Sequence, residues 1–394
     1  MRRGGGAGEQ GGTRGDLGSF LLIHKPPIAH EAQSTLMSAT PSHSIFPLAA
    51  AAANATIPAT DNKLAPGVQV EPKPVHAAEA DAATELAGLS REAILSAEHE
   101  PASRVEQAVT LFIVIVPLLA VGLAIWSLWG WGISWIHLAL LGVMYVLTAG
   151  GITVGFHRYF THKSYQAVRP VQFLLGVCGS MAAQGGVLRW SGYHRRHHQH
   201  SDDTLDPHSP HAYGGGVWGI LRGAWHAHVG WLFEGHPKGV ERYVVDLEKD
   251  PMIKFIDKLF IFWVVLGILL PGVIAGLVTG TWIGAILGVI WCGFVRLFLV
   301  HHVTWSINSV CHIWGSRDFE SHDESRNNAI FGILALGEGW HNNHHAFPAS
   351  ARHGLKWWQF DASYVFIKAL SYLGLTREVR VPAPERMEAK RRKT

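Results

Sequence analysis

The sequence predicts an all-α integral membrane protein: four transmembrane helices in two hairpins, with histidine clusters for a two-metal site on the cytoplasmic side. Three observations lead there. Apolar blocks of membrane-spanning length cover residues 109–129, 133–156, 259–279 and 282–300. Only 16% of residues are charged, below the roughly 25% usual in soluble proteins. The 25 histidines gather in clusters beyond the ends of the blocks.

Residues 1 to about 100 are rich in Ala, Gly, Pro and Ser with no sustained apolar period, so they read as a disordered, low-complexity extension. Arg2 and Arg3 precede too short an apolar run to make an export signal. Met37 leaves a later translation start open.

Each apolar block is long enough to cross a hydrocarbon layer about 30 Å thick. The turns between paired blocks, near Gly130 and Gly280, carry no charge, whereas the central segment and C-terminal stretch carry many Lys and Arg. The positive-inside tendency puts both termini and the central segment in the cytoplasm. Trp126, Trp129, Trp131, Trp135 and Trp282 near the turns fit an interfacial aromatic belt. A fifth apolar stretch, 171–188, contains Gln172, Gln184 and several Gly or Ser. It reads as an interfacial or buried helix, because a fifth crossing would put histidine clusters on opposite faces.

The first cluster, His157 and His162, begins as the second block ends. His194, His197 and His198 follow at i, i+3 and i+4, one face of a helix. His341, His344 and His345 repeat that spacing about 40 residues after the last block. Asn308 and His312, four apart, share a face just beyond the fourth block. Imidazole binds Fe, Zn, Cu and Ni, and eight clustered histidines, nine with His312, exceed what one ion uses, so two metals are implied. The remaining histidines, among them His208, His228, His301, His302 and His353, read as residues that back up the ligands, pack or face the surface, and none is assigned as a ligand. Cys178, Cys292 and Cys311 are too dispersed for a disulfide framework or a thiolate site. Asp323 to Asn328, ahead of the third cluster, read as hydrogen-bonding support for the cap.

Several function classes fall away. A net charge of +3 with no broad basic run before the C-terminus gives nucleic acid binding no footing. A metal transporter would place its ligands inside the crossings, which hold only His137. Structural zinc needs four ligands and favours thiolate, so this donor set is overbuilt for it. Nitrogen-ligated metal beside a bilayer instead suits reductive O2 activation on a water-insoluble substrate. The basic stretch at 386–393 reads as a tail without a fixed partner, with anionic lipid as the other reading.

These residues resemble the membrane-bound fatty acid desaturases of the stearoyl-CoA desaturase type, delta-9 class. The resemblance spans about 105 to 360, within an expected desaturase domain at 105–375 and ahead of a basic tail at 376–394. It rests on the three clusters, the Asn308–His312 element and the run from Gly337 to Pro348, with Asp206 to His208 and His228 to Trp231 also similar. It implies a cytosolic helical cap carrying a di-metal site, two iron ions held by His157, His162, His194, His197, His198, His312, His341, His344 and His345, with Asn308 reaching one through water. It also implies O2, a saturated acyl chain on CoA or a membrane lipid, and a separate electron donor of ferredoxin or cytochrome b5 type. Trp190 matches a position near the acyl tunnel. Animal acyl-CoA members carry an Arg two residues after that Trp, whereas Gly192 stands here. Arg189, Arg195 and Arg196 are the residues that could replace it at the carrier, with contact to lipid headgroups as the equal reading. A hydroxylase of fatty acids or alkanes is the neighbouring alternative, since it begins with the same activation of O2.

Overall fold

The computed structural model describes residues 99–393, so the predicted extension lies almost wholly outside the described residues. Helix α1, Arg104–Gly130, starts at Ser103 in a capping box: Ser103 Oγ accepts from Glu106 N at 3.2 Å, and Ser103 N donates to Glu106 Oε2 at 2.9 Å. Helix α2 runs Trp135–Thr161, with π-helical turns over Gly151–Thr161. Then come α3 Arg169–Ser180, α4 Val187–His200, α5 Gly216–His228 and α6 Pro251–Lys258. The second long pair is α7 Phe260–Thr279 and α8 Trp282–Ile313. Four short helices complete the chain: α9 Ala329–Leu334, α10 His341–Ala346, α11 Ala362–Tyr372 and α12 Pro384–Ala389. Among the described residues the only paired strands are two-residue ones, His99–Glu100 against His236–Pro237 and Gln166–Ala167 against Thr376–Arg377.

The four helices long and apolar enough to span a membrane are α1, α2, α7 and α8. Tight connections at 131–134 and 280–281 make them two antiparallel hairpins, so Thr161 and Ile313 lie at the same end of the bundle. Close packing of α7 on α8 depends on small residues. A Cβ on Gly288 would stand 2.8 Å from the Gly272 Cα.

Helix α3 settles the fifth apolar stretch. Its 12 residues rise about 18 Å, too little to cross. It packs against the π-helical part of α2, where a Cβ on Gly151 would collide with Gly179 N. Beyond it, residues 181–186 turn back with Ala183 at φ 57° and Gly185 at φ 100°. Two buried side chains of α8 hold that turn. Arg296 Nη1 donates to Met181 O at 2.8 Å, and His301 Nε2 bonds Ala182 O at 2.7 Å. Arg296 Nη2 also donates to Gly267 O at 2.9 Å. That carbonyl lacks its usual helical partner, because position 271 is proline and has no N–H.

The C-terminal stretch departs from the reading as an unattached tail. Helix α12 lies on the cap, Lys390 Nζ donates to Ala346 O at 2.9 Å, and the chain beyond pairs with 318–320 through Arg392 N to Asp318 O at 3.1 Å. The anchor is apolar: Met387 packs on the buried pair Phe319 and Phe347. One methionine among seven basic residues leaves little trace in composition.

Candidate metal centre

All nine predicted histidine ligands converge, and they divide into two groups. His157, His162, His194, His198 and His344 form one; His197, His312, His341 and His345 form the other. Within each group the nearest ring nitrogens lie within 4.8 Å of one another.

Local structure explains the arrangement. Helix α4 presents His194 and His198 to the first group and His197 to the second. Helix α10 repeats the division, with His344 in the first and His341 and His345 in the second. His157 and His162 are five apart, which in an α-helix turns them about 140° from each other. The wider π-helical winding brings them to one side, as such turns commonly do at functional sites.

Carboxylates fix the outer edge of the rings. His157 Nδ1 meets Glu338 Oε2 at 2.5 Å, His197 Nδ1 meets Asp206 at 3.1 Å, His312 Nδ1 meets Asp202 at 2.8 Å, and His345 Nδ1 meets Asp323 at 2.5 Å. Buried Arg158 stands behind Glu338, donating also to Asp361 at 2.9 Å and to His353 at 3.0 Å. Burial raises the acid pKa of Asp202, yet His312 outweighs it and holds the carboxyl at about 2. Asp206 and Asp323 are likewise carried well below the usual range by His197 and His345, against the opposing effect of burial. Burial pushes Glu338 up to about 8 against the pull of Arg158; a bound dication would draw it down again.

The residues fit metal ions. Burial holds His162, His194, His198, His341 and His344 well below the ordinary imidazole range, and His345 at about 4. Neutral imidazole is the ligating form. An Nδ1–H donated to carboxylate leaves Nε2 as a lone pair. His157 Nε2 then faces His344 Nε2 at 3.0 Å, His312 Nε2 faces His341 Nε2 at 3.0 Å, and His198 Nε2 lies 2.8 Å from His344 Nε2. Two nitrogens bound at right angles about 2.1 Å from one ion stand about 3.0 Å apart. His345 Nε2 is buried with no hydrogen-bond partner among the described residues. The donor set is all imidazole, with no thiolate.

Asn308 belongs to neither group. It lines two cavities with Trp190, His194 and Thr304, one of about 210 Å³ and one of about 50 Å³. The larger has a polar mouth of Glu106, Arg189, Tyr193 and His236. The smaller is mainly apolar, reaching from His157 and His341 to Ala149 and Tyr145, whose hydroxyl donates to Leu334 O at 2.7 Å. Trp190 stacks on His194, ring centroids 5.0 Å apart. Arg189 Nη2 donates to His236 Nδ1 at 2.8 Å. Sequence reasoning gave no role to Glu338, Asp202 or Arg158, and did not single out His353 among the histidines outside the clusters. The available signal was an acidic residue close to a histidine cluster, as Glu338 is to His341. His301 and His302 stay outside both groups; His302 Nδ1 contacts His228 Nε2 at 2.9 Å.

Comparison with known proteins agrees. A family model described as fatty acid desaturase matches residues 133–376. A hex-5-enoyl-[acyl-carrier protein] acetylenase of Moorena producens is 43% identical over 279 residues, 70% of this chain and 87% of the relative. An sn-1 stearoyl-lipid 9-desaturase of Anabaena variabilis is 40% identical over 252 residues, 63% of this chain and 85% of the relative. Delta-9 acyl-lipid desaturase 1 of Arabidopsis thaliana is 35% identical over 254 residues, 64% and 77% of the two chains.

Proposed function

The chain belongs to the fatty acid desaturase family, and from that premise we propose that it introduces a cis double bond at the delta-9 position of a saturated fatty acyl chain, using O2 and two iron ions. The observation that carries the reading is the pair of all-histidine groups, the second buried and the first partly so, beside a mainly apolar cavity. The first group would hold one iron through His157, His162, His194, His198 and His344, the second the other through His197, His312, His341 and His345, with Asn308 linked to one through water. When bound, the irons supply the activation of O2 and the power to take hydrogen from an unactivated methylene.

The protein's own part is placement and exclusion. Trp190 and His194 form the wall shared by both cavities, so an acyl chain passing there lies against the first histidine group. Ala149, Ile152, Val300, Val303 and Ile307 give the chain an apolar lining that keeps water from the reacting carbons. Glu338, Asp202, Asp206 and Asp323 set the ring tautomers so that Nε2 faces inward. The carrier is CoA or a membrane lipid, met at the mouth by Arg189, and the electrons come from a separate donor protein. The histidine-bearing end of the bundle and both termini face the cytoplasm.

The similarity to an acetylenase favours a second reading, in which an existing double bond becomes a triple bond in the same cavity. Gas chromatography with mass spectrometry of fatty acids from cells expressing the wild type or His198→Ala separates the two. New monounsaturated acids absent from the variant support the first reading, and acetylenic acids support the second. Hydroxylated products would refute both.

A further inference from the structure

We propose that the groove between α12 and the loop after α10 is the docking surface for an acidic, soluble electron-carrier protein. The inference rests on the desaturase reading, because that chemistry sets the demand. Desaturation takes two hydrogens from the chain, and O2 becomes two waters, which needs four electrons and four protons. The chain supplies two of each. The other two electrons arrive as single electrons from a reduced carrier, and two protons come from solvent.

Two adjoining grooves of about 610 and 310 Å³ share Val381 and Pro382. Their charged lining is Arg352, Arg380, Arg386 and Arg391 against Glu385 and Glu388. Arg391 is engaged by Glu388 at 2.8 Å. Arg352, Arg380 and Arg386 have no carboxylate within 4.0 Å among the described residues, and Arg380 and Arg386 are exposed. Residues 376–393 carry seven Lys or Arg against three Glu. The surface is therefore a fixed cationic field, and such fields raise encounter rates with oppositely charged partners about 10- to 1,000-fold.

The surface also reaches the metal ligands. Phe347 lines the smaller groove and follows His345 by two residues. Lys390 Nζ lies 5.6 Å from the centre of its ring and donates to Ala346 O, the carbonyl adjoining His345. A carrier seated on Arg380 and Arg386 is thus separated from a ligand of the second group by the Phe347 ring and the end of α10. Anionic lipid is the rival occupant of a basic surface. The route to His345 favours the carrier.

The test uses the full chain in nanodiscs with a plant-type [2Fe–2S] ferredoxin, comparing wild type, the double variant Arg380→Glu with Arg386→Glu, and Lys254→Glu as an exposed control on α6. Expected results are a Kd for ferredoxin at least about 10-fold weaker in the double variant, kcat/KM for ferredoxin lowered by the same factor, and no change in the control. Single-turnover product from chemically reduced protein stays at the wild-type level, which shows that the metal centre is intact. If the charge-reversed chain does not fold, Arg380→Gln with Arg386→Gln replaces it, and the two Kd values should still separate. Equal ferredoxin affinity in wild type and double variant would overturn the proposal. So would a difference that exists in phosphatidylglycerol nanodiscs and vanishes in phosphatidylcholine ones, which would make the groove a lipid contact. Tail-dependent binding without any desaturated product would support the docking surface while sinking the desaturase reading.

Discussion

Arg296 offers the sharpest quantitative test of how the turn at 181–186, which lines the larger cavity, is held. Arg296→Leu removes the donors to Gly267 O and Met181 O, bonds of 2.9 and 2.8 Å. Each buried carbonyl left unpaired costs about 1–3 kcal/mol. Loss of a buried cation returns part of that, so the net destabilisation should be about 2–4 kcal/mol. The origin of one half of the effect is separable. Pro271→Ala restores an N–H four residues after Gly267 and gives that carbonyl a helical partner. In that background Arg296→Leu should cost less by about one carbonyl penalty, a coupling of about 1–3 kcal/mol. Unfolding by SDS titration in mixed micelles measures all four corners of the cycle. Additivity within about 0.5 kcal/mol would refute the claim that Arg296 serves the carbonyl released by Pro271.

Asp323→Asn should weaken metal binding at the second histidine group alone, since Asp323 is what His345 Nδ1 leans on; a 10- to 100-fold loss of affinity, about 1.4–2.7 kcal/mol, would show as metal lost first from that group on mild chelation, and equal loss from both groups would contradict it. Ala149→Leu fills part of the about 50 Å³ cavity and should shift products toward shorter acyl chains, read by gas chromatography. Asp246, paired with Lys163 at 2.6 Å and Arg195 at 2.6 Å, has its carboxyl drawn down by these partners to about 2 from 3.8 despite burial. A depressed acid stabilises the fold above its unfolded value and loses that contribution as pH falls, so Asp246→Asn should lower stability at pH 7 and match wild type near pH 2, followed by unfolding midpoints across that window.

The sequence carried most of the centre because its ligands repeat at i, i+3 and i+4, a spacing that survives in one dimension. The four crossings were equally legible, being long and continuous. What did not show was anything bridging distant segments. Asp202 meets His312 across 110 residues, and nothing in its own neighbourhood distinguishes it from the solvated Asp203 beside it. The spacing of His157 and His162 was readable as a cluster but not as a shared face, because helical periodicity assumes α winding and the chain there is π-helical. The docking of α12 depended on Met387 meeting Phe319 and Phe347, a tertiary coincidence that composition averages away.

The division of the histidines into groups also has a clock in it. Chains are made from the N-terminus at about 5–20 residues per second, and His157 and His344 are 187 residues apart. Four of the five imidazoles of the first group, His157, His162, His194 and His198, exist before the second hairpin has been synthesised. Of the other group only His197 does; the rest waits for α8 and α10. From His198 to His344 are 146 residues, about 7–29 seconds of synthesis, in which a metal ion meets a nearly complete set of donors at one position and, until His312 is made, a single donor at the other. A chain truncated before α10 should therefore retain metal at the first position alone, which metal analysis of the truncated chain would measure.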